Sequence, residues 1–441
     1  MVIAMKCVEG NMIIYTVKKG DTLSSIARRY MTTVSRLVAD NGLWQPDVLA
    51  VGQTIVIRKP LMTYVVGRGD TLTSIAARFG VTVLDLYRNN PILGGAGDIY
   101  PGEELIVSLD TKKRGSISVN GYVYPNINQA LLRGILPYLT YLSVFTYGIR
   151  EDGGLVEPND TDLLKLADEY GVAPVMVVST LNEREVFDSG MAARVLSEPE
   201  LQRMVIDNLV SAAEEKGYYA VDVDFEYIPS EYAEEYATFI AALREKLSPL
   251  GKKVFADLSP KVRGDQEGLL YEGHDYGLIG EAADSVMLMA YEWGYAYGEA
   301  MAVSPIPNVR RVIEYALTEI PPNKITLGMP NYGYDWTLPY VEGDSKARSL
   351  GNEDAVRMAT DRRVEIRFDS EALSPMFNYY DIVNGRPIKH EVWFENAQSV
   401  YETLQLVDEY ELGGVGIWNL NRPFPQLWLV LNSLYDIEKV K

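Results

Sequence analysis

The sequence predicts an α/β protein in which a large (β/α)₈ barrel with a small α+β insertion follows two small βααβ units. From residue 116 onward, short apolar segments alternate with amphipathic ones, which is the pattern of parallel strands joined by helices. Eight such strands over about 320 residues fit a closed TIM-type barrel with room for an insertion. Before residue 110 one short sequence pattern occurs twice, which indicates a repeated module.

Composition narrows the possible functions before any motif is considered. The chain has 441 residues and a formal net charge of −20, so we expect no nucleic-acid partner. A single cysteine, Cys7, excludes a disulfide framework, and two histidines make a histidine metal site unexpected; no cofactor is predicted. No apolar run approaches the roughly 20 residues of a membrane span. We therefore predict a globular monomer that does not insert into membranes.

Residues 1–11 do not resemble a classical signal peptide, because Lys6, Glu9 and Gly10 interrupt their apolar stretch. We interpret this segment as an extension, with Met12 as a plausible start. On this interpretation the protein is made in the cytoplasm and reaches its place of action by another route.

The N-terminal repeat is explicit in the sequence. Residues 15–27 read YTVKKGDTLSSIA, and residues 64–76 read YVVGRGDTLTSIA. Each copy predicts a strand, a Gly-Asp turn and a helix that begins after an N-capping threonine. Each copy continues with a second helix, which runs to Asn41 or Asn90, and closes on a strand that follows a glycine.

This βααβ unit resembles the LysM module, and the resemblance covers residues 12–59 and 62–108. LysM modules bind glycans that contain N-acetylglucosamine, such as peptidoglycan and chitin, so the resemblance implies glycan binding by both units. The implied groove maps onto Gly20, Asp21, Thr22, Gly69, Asp70 and Thr71. The alternative is that Gly-Asp-Thr serves only as a turn and a helix cap. Two weak modules on one chain would raise avidity for a polymeric wall.

A polar stretch, 108–115, is interpreted as the linker to the large domain, residues 116–438. The predicted strands are 117–122, 141–147, 173–179, 219–226, 253–259, 285–291, 324–330 and 415–419. The connection between the seventh and eighth strands, about 336–411, is too long for one helix. It contains a hairpin-like sequence with an Asn-Gly turn, 378–385, so we predict an insertion that forms one wall of a cleft.

The most informative segment is 219–227, which reads YAVDVDFEY. In a strand, Asp222, Asp224 and Glu226 share one face, with apolar residues behind them. Burial and like charge raise carboxyl pKa values, and enzymes use this effect to keep a proton available at neutral pH. The alternative is a solvated acidic edge strand, which the apolar flanks disfavour.

Aromatic residues cluster at the ends of the other predicted strands. In barrels the catalytic residues lie at the C-terminal strand ends, and aromatic rings there can stack on sugar faces. Tyr291 joins the three acids as a catalytic candidate. The substrate-binding candidates are Trp418, Glu292, Trp293, Tyr332, Asn331 and Tyr147. For Tyr291 and Trp418, the alternative is ordinary core packing.

At these positions the large domain resembles glycoside hydrolase family 18. That family carries a D-x-x-D-x-D-x-E signature on the fourth strand, M-x-Y-D on the sixth and a tryptophan on the eighth. The chain departs from it at Tyr219, where the first aspartate would stand, and at Glu292, which follows Tyr291. Because the inner three acids are intact, these departures put substrate choice in doubt more than activity.

The resemblance implies a retaining, substrate-assisted mechanism without a metal. Glu226 would protonate the leaving oxygen, and the 2-acetamido carbonyl of the sugar would be the nucleophile. Asp224 would orient the acetamido N–H and stabilise the positive oxazolinium, and Asp222 would share a proton or a hydrogen bond with Asp224. Tyr291 would donate to the acetamido oxygen, and Trp418 would lie under the sugar.

With its two repeats, the whole chain resembles the spore cortex-lytic N-acetylglucosaminidases of endospore-forming bacteria. The resemblance implies cleavage of β-1,4 bonds after N-acetylglucosamine in peptidoglycan, with spore cortex as the expected substrate during germination and a spore or wall location. The alternatives are a chitinase and a non-catalytic lectin that binds chitin or peptidoglycan. Barrels of this family that act as lectins typically lose the acid, whereas Glu226 is present.

Overall fold

The computed structural model describes residues 6–7, 12–180 and 188–440. The predicted extension, 1–11, lies outside the described residues except for β1 (Lys6–Cys7), which pairs antiparallel with the strand that follows it.

The N-terminal region forms two βααβ units, as the repeat predicts. The first contains β2 (Met12–Thr16), α1 (Leu23–Arg29), α2 (Val34–Asn41) and β3 (Thr54–Arg58), and the second contains β4 (Pro60–Val65), α3 (Leu72–Phe79), α4 (Val83–Asn89) and β5 (Glu104–Leu109). In the first unit the Asn41 side-chain amide donates to the Val56 carbonyl (2.9 Å) and accepts from the Val56 N–H (2.7 Å). Asn90 makes the same pair of bonds to Ile106. These amides therefore fasten the second helix of each unit to its closing strand.

The barrel begins directly after the second unit. Its elements up to the seventh barrel strand are β6 (Ser116–Val123), α5 (Gln129–Ile135), β7 (Tyr141–Ile149), β8 (Leu155–Val156), α6 (Thr161–Glu169), β9 (Ala173–Ser179), α7 (Ser189–Ser197), α8 (Pro199–Glu215), β10 (Ala220–Asp224), α9 (Ala233–Leu247), β11 (Lys253–Leu258), α10 (Tyr276–Ala282), β12 (Ser285–Leu288), α11 (Ile306–Glu319) and β13 (Ile325–Pro330).

The insertion follows β13 and has a core of its own. It consists of β14 (Gly333–Leu338), β15 (Arg348–Leu350), α12 (Asn352–Arg362), β16 (Arg367–Phe368), β17 (Pro375–Val383) and β18 (Arg386–Trp393). The strands form an antiparallel sheet in the order β15-β14-β18-β17-β16. The predicted hairpin is confirmed, because Asn384 and Gly385 join β17 to β18 with φ of 51° and 75°. Positive φ at both central residues is what a two-residue hairpin turn requires.

The remaining elements complete the barrel: α13 (Ala397–Glu409), β19 (Gly414–Trp418), α14 (Pro425–Leu434) and β20 (Asp436–Ile437). The parallel strands close in the order β6-β7-β9-β10-β11-β12-β13-β19 and back to β6. Val400 and Leu404 of α13 are buried in the barrel core. This helix is therefore a barrel helix, and the insertion ends near Trp393 rather than near residue 411 as predicted.

All eight predicted barrel strands are present, but two of them end at least two residues earlier than predicted. β10 ends at Asp224 and β12 ends at Leu288, so Glu226 and Tyr291 lie on the loops that follow. Tyr227 has a φ of 56°, and this left-handed residue turns the chain away from the strand direction. Glu226 thus lies between the end of β10 and this turn.

The two βααβ units are fastened to the barrel rather than joined to it by a free linker. Ser108 belongs to β5, and within the predicted linker the Lys113 ammonium donates to the carbonyls of Tyr435 (2.8 Å) and Asn432. Met12, Ile14 and Val56 are buried in the same apolar cluster as the barrel core. The predicted linker is therefore an anchored segment.

No helix in the described part of the chain is long and apolar enough to cross a membrane.

Gln426 on α14 connects the first unit to the barrel, and we expect its loss to destabilise the fold. Its side chain donates to the Thr54 carbonyl (2.7 Å), accepts from the Thr54 hydroxyl (2.8 Å) and contacts the Asn41 side chain (3.2 Å). Gln426→Ala should lower the free energy of unfolding in denaturant titrations by about 1–2 kcal/mol, because it leaves partly buried partners unsatisfied. The exposed Gln129→Ala is the control and should change it by less than about 0.5 kcal/mol. Equal effects would contradict the bridging role.

Candidate active site

A cleft of about 1480 Å³ lies at the C-terminal ends of the barrel strands, with the insertion as one wall. Seven acidic residues line it: Glu151, Asp152, Asp188, Asp224, Glu226, Asp257 and Glu292. Aromatic rings cover much of the remaining surface, namely Tyr124, Phe145, Tyr271, Tyr291, Trp293, Tyr295, Tyr332, Tyr334 and Trp418. Acids among aromatic rings can bind a sugar and move a proton at the same place.

Strand β10 carries two acids into the barrel interior. Asp222 is fully buried below the cleft and accepts a hydrogen bond from the Tyr122 hydroxyl (2.8 Å). Asp224 is 4% exposed and reaches the cleft. Within the described residues, Oδ1 of each aspartate has no hydrogen-bond partner. The two carboxyls are thus stacked in the barrel without a cation beside them.

Burial determines how these acids titrate. It raises the pKa of Asp222 to about 7 and that of Asp224 well above its ordinary value, and the charges of Glu226 and Asp222 raise the pKa of Asp224 further. Burial, followed by the charge of Glu292, raises the pKa of Glu226 to about 7. Glu226 is therefore held close to the pKa that suits a general acid at neutral pH.

Glu292 is placed by its backbone and by two tyrosines. Its φ is 62°, which turns the side chain into the cleft. The carboxylate accepts a hydrogen bond from the Tyr334 hydroxyl (3.0 Å) and another from the Tyr332 hydroxyl. Glu292 and Tyr332, both predicted to bind substrate, thus lie together on the insertion side of the cleft.

Trp418 and Tyr291 occupy the cleft floor and its wall. The Trp418 ring packs edge-on against Phe145 (ring centroids 4.8 Å apart) and against Tyr122 and Tyr124 (both 5.8 Å). These contacts fix the ring while it stays partly exposed in the cleft. Tyr291 is 6% exposed and also faces the cleft. Both side chains therefore pack in the core, as the alternative interpretation predicts, and they also face the cleft.

Trp293 lines the cleft as well. The guanidinium of Arg311 lies 5.8 Å from the centre of its ring. Among the described residues, its indole N–H is buried and has no hydrogen-bond partner.

Two predicted substrate-binding residues do not reach the cleft. The Tyr147 side chain is fully buried and points outward from the barrel, where its hydroxyl bonds to Asp160 and Lys216. Asn331 is 1% exposed and donates to the carbonyls of Asn419 and Arg422, both at 2.8 Å. Neither side chain therefore contacts the cleft: an irregularity in the pairing of β7 between Val144 and Tyr147 turns Tyr147 away from the face of Phe145, and Asn331 is held by backbone carbonyls.

Sequence reasoning missed Asp257 and Tyr122. Asp257 lies near the end of β11 and lines the cleft, and Tyr122 lies on β6 beneath Trp418. A lone acid near the end of a predicted apolar strand was the available signal for Asp257. Nothing in the sequence indicates that Tyr122 would face Asp222 from across the barrel. No group of three or more ligands suited to a metal ion occurs in the described ranges.

In the N-terminal units, the predicted glycan-binding residues also stabilise turns and helix ends. Asp21 accepts from the Tyr15 hydroxyl (2.5 Å) and the Lys18 N–H, and Thr22 caps α1. Asp70 and Thr71 do the same in the second unit, and Gly20 and Gly69 have φ of 88° and 83°. Turn and cap chemistry thus accounts for these residues, and their glycan contact stays a prediction.

Comparisons with known proteins agree with this architecture. The profile of Glycosyl hydrolases family 18 matches residues 188–422, and that of the LysM domain matches residues 15–58 and 64–108. Over 434 residues the chain is 40% identical to the Cortical fragment-lytic enzyme of Bacillus subtilis (strain 168), covering 97% of this chain and 99% of that protein.

Solved structures are also similar to this chain, over different shares of its length. The spore cortex-lytic enzyme SleL of Bacillus megaterium QM B1551 matches with a TM-score of 0.82 and 33% identity, covering 98% of this chain and 100% of that one. A chitinase from Chromobacterium violaceum ATCC 12472, 24% identical, matches with a TM-score of 0.67 over 72% of this chain and 98% of its own, which shows a shared barrel fold.

The proximity of Glu292 to Glu226 gives a testable prediction. Glu292→Gln should lower the pKa of Glu226 toward its ordinary value, because the variant removes the charge that ranks next to burial in raising it. Carbon-13 NMR titration of the glutamate carboxyls measures this pKa. Glu353→Gln is the control, because burial also raises the pKa of Glu353, to about 7, but Glu353 lies away from the cleft. An unchanged pKa of Glu226 in Glu292→Gln would refute the coupling.

Proposed function

We propose that this chain, which belongs to the Glycosyl hydrolases family 18 and carries two LysM domains, is a retaining glycosidase that cleaves after N-acetylglucosamine in peptidoglycan. The observation that carries the proposal is the pair of buried acids on β10, followed two residues later by Glu226 in the cleft that Tyr291 and Trp418 also line. A glycoside hydrolase needs a protonated acid beside an aromatic sugar platform, and this arrangement supplies both.

In the first step Glu226 acts as general acid. Its pKa is raised to about 7, so the carboxyl can carry a proton at neutral pH. Glu226 gives this proton to the glycosidic oxygen as the bond to the anomeric carbon breaks. The departing sugar leaves as a neutral alcohol.

The nucleophile is the 2-acetamido carbonyl oxygen of the sugar that is being cleaved, an exception to the two-carboxylate scheme. Its attack on the anomeric carbon is intramolecular and therefore has a high effective concentration. Asp224, at the cleft surface, accepts the acetamido N–H and stabilises the positive oxazolinium ion. Tyr291 donates its hydroxyl to the acetamido oxygen, and Trp418 supports the sugar ring.

In the second step Glu226, now ionised, removes a proton from water. The water attacks the anomeric carbon from the side that the leaving group vacated, and the oxazolinium ring opens. Two displacements at one carbon give retention of configuration. Asp222 stays below the cleft and acts on Asp224, so the two aspartates titrate as a coupled pair.

This mechanism selects the sugar at the cleavage point, because that sugar must carry a free 2-acetamido group. N-Acetylglucosamine does, whereas the lactyl ether of muramic acid crowds the same face and a muramic lactam removes the group as a nucleophile. The product should therefore end in reducing N-acetylglucosamine.

Spore cortex is the wall that we propose as the substrate. The support is the similarity over nearly the full chain to proteins named as cortical fragment-lytic and spore cortex-lytic enzymes. The LysM domains would hold the enzyme on this polymer, which implies a spore or wall location during germination. We propose that a single chain is the active unit, because the cleft residues of one chain supply every group that the mechanism uses.

The product of digestion tests this proposal. Wild-type enzyme is incubated with purified spore cortex, vegetative peptidoglycan and a chitin hexamer, and products are reduced with borohydride and analysed by mass spectrometry. We expect muropeptides that end in reduced N-acetylglucosamine, with cortex preferred. Glu226→Gln should release at least about 10²-fold less product, since general acid catalysis contributes about 10²–10⁴-fold, yet it should still sediment with the walls.

Other outcomes distinguish the alternatives. Chitobiose from chitin without muropeptides would indicate a chitinase, and wall binding without any product would indicate a lectin. Wild-type rates in Glu226→Gln would show that the acid is assigned to the wrong residue.

The two buried aspartates should differ in their effect on turnover. Asp224→Asn should lower kcat more than Asp222→Asn, because only Asp224 reaches the cleft and can touch the acetamido group. Steady-state rates on soluble cortex fragments measure this difference, and thermal unfolding checks that both variants are folded. The opposite order would contradict the role given to Asp224.

A further inference from the structure

A third buried aspartate joins the pair on β10 through a tyrosine. The Tyr122 hydroxyl lies 2.8 Å from Oδ2 of Asp222 and 2.9 Å from Oδ1 of Asp257. All three side chains are 2% exposed or less. Tyr122 thus bridges two carboxyl groups on neighbouring strands from the opposite side of the barrel.

This bridge requires a proton beyond the one on the tyrosine. A phenol hydroxyl has one hydrogen to donate, and an ionised carboxylate has none. Tyr122 can therefore donate to only one of the two aspartates. The second short contact is a hydrogen bond only if the other aspartate is protonated and donates to the tyrosine oxygen.

Asp257 is better placed than Asp222 to hold that proton. Burial raises its pKa well above the ordinary value, and the charges of Asp222 and Asp224 raise it further. The pKa of Asp222 is raised to about 7 by burial, and the bond from Tyr122 lowers the pKa of both aspartates. Because neighbouring carboxylates act on Asp257 in addition to burial, we assign the proton to Asp257.

The surroundings of Asp257 contain acids and phenols. Asp257 interacts by charge or hydrogen bonding with six titratable groups, and these interactions shift the pKa of Asp257 or of the other group: Asp222, Asp224, Glu226, Tyr122, Tyr236 and Tyr291. In the part of the chain that the structure describes, neither Asp257 nor the aspartates of β10 form an ion pair with lysine, arginine or histidine. Among the described residues, no cationic side chain balances the charge of this cluster, so a proton is the positive charge that it can bind.

The strand register brings Asp257 beside the reacting groups. Val223 on β10 pairs with Ala256 on β11, so Asp224 and Asp257 are the next residues along the two strands. On its other side Asp257 pairs with Met287 of β12. Unlike Asp222, Asp257 also lines the cleft. It thus connects the buried pair with the space that the sugar occupies.

We propose that Asp257 is a positioning residue of the reaction, whose protonated carboxyl donates to Tyr122 so that Tyr122 donates to Asp222 and holds it as an oriented anion beneath Asp224. The inference rests on the proposed function. When Asp257 loses its proton, Tyr122 can serve only one of two carboxylates, and the cluster gains a negative charge. In the pH profile of kcat, the decrease on the alkaline side, which we call the alkaline limb, should then reflect the loss of more than one proton, from Asp257 as well as from Glu226.

Two substitutions at Asp257 separate positioning from simple packing. Asparagine keeps an N–H that can donate to Tyr122 but cannot titrate, whereas alanine removes the donor. Asp257→Ala should lower kcat on soluble cortex fragments by about 10- to 100-fold with little change in KM, as the loss of one hydrogen bond in a charged network implies. Asp257→Asn should recover a large part of that loss, and its alkaline limb should be shallower than that of the wild type. Equal kcat in the two variants, or an unchanged limb in Asp257→Asn, would overturn the proposal.

Tyr122→Phe tests whether the coupling passes through the tyrosine. In this background, adding Asp257→Asn should leave the slope of the alkaline limb unchanged, because the bridge is already absent. Independent effects of the two substitutions would refute the coupling. Asp265→Asn is the matched control, since its side chain is exposed in the loop after β11, and its pH profile should equal that of the wild type.

Infrared difference spectra test the stored proton without any turnover. The wild-type protein should show one more C=O stretching band of a protonated carboxyl group at neutral pH than Asp257→Asn, because other buried acids with a raised pKa, such as Asp224, contribute bands in both proteins. Asp265→Asn should show the same bands as the wild type. An unchanged set of bands in Asp257→Asn would place the proton elsewhere and overturn the proposal. If the wild-type protein has no glycosidase activity but its spectrum still differs in this way from that of Asp257→Asn, the proposed function is contradicted, whereas the assignment of the proton to Asp257 is not.

Discussion

The burial of carboxyl groups without a cation is the constraint on which the rest of this site depends. Asp222, Asp224 and Asp257 lie inside a barrel whose described residues place no lysine or arginine in an ion pair with them. Since isolated charges are costly in such an interior, these groups must bind protons or share hydrogen bonds. The same cost keeps Glu226 protonated near neutral pH, so the energetic penalty of the fold supplies the acid that the reaction needs.

The aromatic residues and the insertion have complementary roles around this acidic centre. Tyr122, Phe145 and Tyr124 pack against the edges of Trp418 and leave part of it open to the cleft. From the other side, Tyr332 and Tyr334 hold Glu292, where the family signature has a shorter aspartate. The longer side chain reaches tyrosines of the insertion segment, so the departure from the signature is accommodated by residues outside the barrel itself.

The N-terminal units pack directly against the barrel core. Gln426, Asn41 and Thr54 form a polar contact between α14 and the first unit, and Met12 and Val56 extend the apolar core across it. The two N-terminal units are therefore held to the barrel by polar and apolar contacts and not only by the connecting segment.

The sequence by itself determined the fold class, the two repeats, all eight barrel strands, the Asn-Gly hairpin and the acids of β10, because periodicity and turn chemistry are local properties. It placed Tyr147 and Asn331 wrongly and extended the insertion into α13, because side-chain direction at a strand end and the packing partner of a helix are not local. Only the tertiary structure brought Tyr122 and Asp257 to Asp222, since three strands far apart in sequence meet only when the barrel closes. The acids of β10 can therefore be identified from one segment of the sequence, whereas the proton that they share with Asp257 depends on contacts that form only in the closed barrel.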